Sequence, residues 1–175
     1  MDFQTLIEER RSVRYFTDTE VSREALDSIL WAANRAPSAG NMQAYEIVVV
    51  QDAGRRQELS SWALGQQSVA DAPLVLVFCS NPERSERKYG KRANLYAMQD
   101  ATIACAHAQL AAGDLGLATC WIGAFQKREV SRIVRAAEEL EPVAMLIIGH
   151  ADDNPPATGR RPLDDLVKWE QFPTR

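Results

Sequence analysis

Three arginines and a serine fall within five positions near the start of the chain: Arg10, Arg11, Ser12 and Arg14, in the stretch "RRSVRYF". If the backbone there is extended, side chains alternate, so Arg10, Ser12 and Arg14 share one face and Arg11 and Val13 the other. Two guanidiniums and a hydroxyl converging on one point make a phosphate clamp. Arginine meets a phosphate with two parallel N–H donors, and serine adds a directional one. A simpler account serves equally well at this point: cations after a helix end favour its macrodipole by ~0.3–1 kcal/mol each.

Three further stretches could carry chemistry. In "APSAGNMQAYEIVVV", Ser38, Asn41 and Gln43 offer the neutral donors and acceptors that read a heteroaromatic edge. The alternative is an ordinary helix-to-strand turn using Gly40. In "GDLGLATCWIGAF", Gly123 would let a flat ring press against the backbone, within reach of its own amide or that of Ala124. A buried strand with a bulge would look the same. In "TGRRPLDDLV", Arg160 and Arg161 precede Pro162, which suits a helix start, so they form a second anion anchor or a solvated pair in a loop.

The elements that must position these residues follow from periodicity. Phe3, Leu6 and Ile7 predict a first helix ending near Arg10. "VSREALDSILWAANRAP" predicts a second, capped by Ser22 and ended by Pro37. "EIVVVQD" and "APLVLVFCS" read as strands buried on both faces, with a short helix from Gly54 to about Leu64 between them. "NPERSERKYGKR" reads as a charged, mobile connection. "ANLYAMQDATIACAHAQLAAGDLG" is a long alanine-rich helix that Gly113 or Gly116 can end. A short strand ("LATCWIGAF"), a helix ("KREVSRIVRAAEEL") and a core strand ("EPVAMLIIGHA") follow. Helices and strands alternate, but the strands are too few for a doubly wound sheet. The pattern predicts an α+β fold with a mixed central sheet flanked by helices. The apolar tail after Arg161 is expected to pack on a second subunit.

The 175 residues, 46% hydrophobic and 25% charged, suit one domain spanning residues 1–175. A net charge of −4 argues against a nucleic-acid-binding face but leaves room for a small basic pocket. No apolar run approaches the ~20 residues that cross a bilayer. The N-terminus lacks the basic and long apolar regions of a signal peptide, so a cytoplasmic protein without a membrane partner is expected. Cys79, Cys105 and Cys120 form no CxxC pair and sit in apolar runs, which predicts buried, inert thiols. A thiol enzyme using Cys79 or Cys120 is the rival. His107 and His150 are expected to fill core positions rather than bind metal. No GxGxxG, P-loop or GxSxG motif is present, so any enzymatic chemistry belongs to a bound cofactor.

Taken in order, "RRSVRYF", "APSAGNMQAY", "QDATIACAHAQLAAGDLGLATCWIGAF" and "RRPLDDLV" resemble the FMN-dependent nitroreductase family over nearly the whole chain. The resemblance implies that Arg10, Arg11, Ser12 and Arg14 hold the phosphate and ribityl end of FMN, with Arg160 and Arg161 closing on the same phosphate. It implies that Ser38, Asn41 and Gln43 approach the ring or its substrate face. Ile122, Gly123 and Ala124 would line the ring with an amide near N5, and Gln66 would add a further ring contact. It further implies a homodimer with FMN at the subunit interface and the tail wrapping the partner. NAD(P)H would deliver hydride to the flavin, then give way in the same pocket to a nitroaromatic, quinone-like or flavin acceptor. Alternatives are a dehalogenating or flavin-fragmenting relative, and a protein that stores or senses FMN without turnover. Where the family commonly has Pro-Trp, this chain has Ala44-Tyr45, and Ala118 stands for a common glycine.

Overall fold

A computed structural model describes residues 2–172. Helix α1 (Phe3–Glu9) starts at Asp2, whose carboxylate accepts from the amides of Gln4 and Thr5. Helix α2 (Arg23–Asn34) starts at Ser22, whose hydroxyl accepts from the Ala25 amide, and it buries Leu26, Ile29 and Ala33. Strand β1 (Tyr45–Val50) leads into α3 (Ala53–Trp62) and α4 (Gln67–Asp71). Strand β2 (Leu74–Ser80), α5 (Glu83–Tyr89) and α6 (Ala93–Asp114) come next. Strand β3 (Ala118–Ile122), α7 (Lys127–Val134), β4 (Glu141–Gly149) and α8 (Leu163–Leu166) complete the order.

The four strands form one sheet in the order β1-β2-β4-β3, so the two central strands are fully flanked. In β2, Val75, Val77 and Cys79 enter one core with Met145 and Ile147 of β4, closed by Leu59, Val69 and Val130 from α3, α4 and α7. The alternate residues Leu74, Leu76 and Phe78 enter a second core with Leu146 and Ile148, closed by α2 and α6. The result is three layers, helices on both faces of a sheet. Helix α6 buries alanines at positions 97, 101, 104, 108 and 112, and so approaches its neighbours closely. It ends in a Schellman motif: the Leu117 amide donates to the Ala112 carbonyl and the Gly116 amide to that of Gly113, with Gly116 at φ +74°.

Several sequence expectations need correction. The sheet was expected to be mixed, but every strand pair is antiparallel, and the one parallel element is an isolated bridge between Ser12 and Thr119. Strand β1 was expected to be buried on both faces. It is the sheet edge, and Glu46 and Val49 are exposed. Its β-branched run satisfies strand propensity without requiring burial. The charged connection after β2 is helical, as α5 and the 3-10 turn Gly90–Arg92. It buries only Ser85 fully, so it has no apolar stripe to read. Helix α7 stops at Val134, because Arg135 turns left-handed at φ +53°. His107 and His150 are half-buried rather than core residues. The described part of the tail is exposed throughout: Leu163 is 72% exposed, Trp169 85% and Phe172 82%.

The N-terminal extended segment reaches the sheet at a point that only glycine permits. A Cβ on Gly149 would stand 2.7 Å from Cδ of Pro73 and 2.9 Å from Cδ1 of Phe16. Neither ring can yield by rotating a flexible end. Gly149→Ala is expected to cost about 1–3 kcal/mol of stability through overpacking, as measured by urea denaturation.

Candidate functional site

The stretch "RRSVRYF" leaves α1 at Arg10 and runs extended along the sheet, as its alternation requires. The Val13 amide donates to the Thr119 carbonyl at 3.0 Å, and the Thr17 amide donates to that of His150 at 3.0 Å. The Asp152 amide returns a bond to the Tyr15 carbonyl at 3.0 Å. Val13 and Phe16 are buried as anchors. Between them the polar side chains are held on a fixed backbone.

Ser12 bridges Thr119 of β3, the Arg14 guanidinium donates to the Ser12 carbonyl at 3.4 Å, and Arg10 lines a cavity with Arg11, Val13 and Thr119. Burial raises the Cys120 thiol above its ordinary pKa. The Arg14 charge, a hydrogen bond with Ser12 and the Arg10 charge each oppose that rise. Arg14 is exposed and Arg10 and Ser12 are half-buried, so the two guanidiniums and the hydroxyl form an accessible cationic corner. No acidic side chain pairs with either arginine among the described residues. Arg11 stands apart: its guanidinium turns back to the carbonyls of Glu8 and Arg10, where it caps the end of α1.

Strand β3 leads from this corner to Gly123 and Ala124, both exposed. A Cβ on Gly123 would meet only the Trp121 indole, at 3.8 Å, so the backbone here is open to a flat ligand. Gln66 joins this segment: its side-chain amide donates to Ala63 at 2.8 Å and to the Ala124 carbonyl at 3.3 Å. The Gln126 amide donates to the Trp62 carbonyl at 2.9 Å. Two hydrogen bonds therefore fix the α3–α4 turn against the end of β3.

The loop with Ser38, Asn41 and Gln43 is held by a residue the sequence reading missed. Asp100 of α6 is 2% exposed. Its carboxylate accepts from the Ala39 amide at 2.9 Å and from the Ala44 amide at 3.2 Å. Ala44 thus supplies an N–H that a proline at this position would lack. The Ser38 hydroxyl accepts from the Gln43 amide at 3.0 Å, and the Gln43 side chain donates to Asn41. Gly40, Asn41 and Gln43 all adopt positive φ. The Tyr45 hydroxyl donates to the Ala33 carbonyl at 2.9 Å, tying the loop to α2. The only signal for Asp100 is a lone acid inside the apolar run "YAMQDATIACA".

Arg160 and Arg161 are exposed and satisfy their own loop. Arg160 donates to Thr158 and Gly159, and Arg161 to the Asp165 carbonyl at 2.6 Å. Among the described residues, no hydrogen bond links them to Arg10, Ser12 or Arg14. Thiol chemistry finds no support: all three cysteines are buried and free, and burial pushes Cys79 up to about 11 and Cys105 higher still. No group of three or more His, Cys, Asp or Glu among the described residues is arranged to hold a metal ion. No helix among them is long and apolar enough to cross a membrane.

Comparison with known proteins places the chain among relatives of one family and fold. The model of the nitroreductase family matches residues 7–79 and 51–150. An FMN reductase (NAD(P)H) of Bacillus subtilis is 33% identical, over 94% of this chain and 72% of its own length. Among solved structures, NfrA2 of B. megaterium superposes with a TM-score of 0.91 at 32% identity, covering 97% of this chain and 74% of that one. The NADPH:FMN oxidoreductase of Vibrio harveyi, complexed with NAD+, superposes with a TM-score of 0.90 at 27% identity, covering 98% and 78%.

Removing the Asp100 carboxylate would leave two amides without their acceptor. Asp100→Ala is expected to destabilise by about 1–3 kcal/mol for each amide that stays buried. Thermal or urea unfolding of the variant beside Asp100→Asn, which keeps one acceptor oxygen, measures this.

Proposed function

The chain belongs to the nitroreductase family, and we propose that it binds FMN and uses NAD(P)H to reduce a nitroaromatic, quinone-like or flavin acceptor. The observation that carries this reading is the arginine segment held beside β3, where Ser12 bridges Thr119 and Arg14 hydrogen-bonds the Ser12 carbonyl, on the strand that ends at the exposed backbone of Gly123.

These residues fit the group. A phosphate dianion needs local cations whatever the net charge of the chain, and two guanidiniums with no acidic partner among the described residues, with a hydroxyl, supply charge and directional donors. A flat ring needs a backbone without side chains in the way, and the Gly123 backbone offers one. FMN supplies the two-electron redox chemistry when bound. The protein's part is to hold and orient. Arg10, Ser12 and Arg14 bind the anionic end. Ile122, Gly123 and Ala124 line the ring, with Gln66 fixing their backbone. Arg14 also lowers the cost of negative charge on the bound group. Ser38, Asn41 and Gln43, on a loop held by Asp100, present polar atoms to a ring or its substrate. Arg11 supports the clamp indirectly by ending α1.

The same reading extends to assembly. One domain over residues 1–175 forms a homodimer with FMN at the interface, and the tail after Arg161 covers the partner. The exposed Leu163, Trp169 and Phe172 support this, since so much apolar surface on one short tail calls for a partner. Dimerisation is also the route by which Arg160 and Arg161 would reach a phosphate.

The absorbance spectrum of the purified protein, taken before and after anaerobic NADH or NADPH, tests the reading. A yellow protein that bleaches is expected. One that stays yellow with both donors would favour storage or sensing, and a colourless protein that refuses added FMN would end the proposal. Arg14→Ala is expected to weaken FMN binding by roughly tenfold or more, the loss of one charge-assisted contact. A flavin titration that finds unchanged affinity would remove Arg14 from the clamp.

A further inference from the structure

The arginine segment has a second neighbour besides β3. Phe16 bridges Ala151 antiparallel, and the bonds from Thr17 to His150 and from Asp152 to Tyr15 share that register. The residues after β4 are therefore held alongside the clamp, and Asp153 is delivered to it on a fixed backbone.

Arg10 and Asp153 line one cavity of about 290 Å³, walled also by Leu6, Val13 and Thr119. Asp153 is half-buried, and its Oδ1 is sealed from water with no hydrogen-bond donor among the described residues. A carboxylate oxygen left in that state costs more than an unpaired neutral group would. Arg11 and Glu9 line the same cavity. The Arg11 guanidinium is engaged by the carbonyls of Glu8 and Arg10, and Glu9 is exposed and of the wrong sign. Arg10 is the cation left to answer the carboxylate, since its own guanidinium has no ion pair among the described residues. The cavity gives that guanidinium room to turn inward.

We propose that Arg10 has two alternative partners, the Asp153 carboxylate inside the cavity and a phosphate outside it. Asp153 holds the guanidinium until a phosphate displaces it, and so sets how strongly the clamp prefers a phosphate-bearing flavin to riboflavin. This rests on the flavin reading above and names what tunes its cofactor site. The form with Arg10 unpaired is the one ready for phosphate. A phosphate carries more charge than a carboxylate, accepts the same two-pronged bond and is met by Arg14 and Ser12 as well, so it wins the exchange. An uncharged ribityl chain offers nothing that competes, and leaves Arg10 with Asp153.

Two measurements on the full-length protein test the exchange. The first needs no flavin. In protein dialysed free of it, Arg10→Ala strands the carboxylate and is expected to lower the urea midpoint. Adding Asp153→Asn is expected to restore that midpoint, although Asp153→Asn alone brings no gain. Effects that simply add overturn the pair. The second is FMN release on dilution, followed by the fluorescence of the freed flavin. Asp153→Asn keeps the shape and removes the charge, and is expected to hold FMN at least about threefold tighter with riboflavin binding unchanged. Glu9→Gln removes a charge from the exposed rim of the same cavity and is expected to leave FMN release as it is, which separates a partner of Arg10 from a general field. FMN held equally or more weakly by Asp153→Asn, or an equal gain in Glu9→Gln, overturns the proposal. If neither wild type nor Asp153→Asn holds FMN, the flavin reading falls and the exchange with it. If wild type holds FMN and the variants behave like it, only the exchange falls.

Discussion

Burial on both faces of β2 and β4 is the constraint on which the rest of the structure depends. Leu74, Leu76 and Phe78 point into one core while Val75, Val77 and Cys79 point into the other, and β4 repeats the pattern. A polar side chain on either strand would have to be desolvated without a partner, at a cost of kilocalories. Chemistry is therefore excluded from the centre of the sheet and displaced to its margins. The arginine segment lies beside β3, the exposed glycine backbone follows the end of β3, and the amide loop enters β1. The central strands supply rigidity and the margins supply function.

Margins are soft unless something fixes them, and here each functional loop is fixed by main-chain or buried bonds. The arginine segment borrows the carbonyls of Thr119 and His150. The turn before α4 is bonded to Ala124 through Gln66. The loop of Ser38–Gln43 holds two non-glycine residues, Asn41 and Gln43, at positive φ, which costs conformational energy. The Asp100 carboxylate offsets that cost by accepting two amides at once in a site shielded from water, where such bonds are strongest. A loop of small and amide residues thereby becomes a shaped surface.

Elements whose burial is periodic were legible in the sequence, and those without such a face were not. The Ser22 cap announced α2, and of the two glycines that could end α6, 113 and 116, it is Gly116 that takes the left-handed turn. The extended run of this segment beside β3, with Val13 and Phe16 buried, followed the expected strand geometry. Helix α5 was missed because Ser85 is its one fully buried residue, so it carries no apolar period. Strand β1 was misread because Val48, Val49 and Val50 look alike whether the strand is central or at an edge. Asp100 was invisible for a different reason: its role is a tertiary one, toward amides 56 and 61 residues away in the chain. Local pattern has no access to a bond of that separation.

Charge shows the same separation between count and placement. A net charge of −4 speaks against a broad basic face, yet single cations stand without acidic partners among the described residues. Arg10 and Arg14 stand in one segment with the Ser12 hydroxyl. Lys88 and Arg92 border tyrosines, while Glu83 and Glu86 line a cleft with Glu139. Exposed cations and anions within reach of each other would largely cancel in water and contribute little. Keeping them apart preserves a local positive potential that a phosphate can use, because screening limits the influence of more distant acids to within about 8 Å at physiological salt. A small acidic protein can therefore attract an anionic group, provided that cations are left without acidic partners at the place where that group must sit.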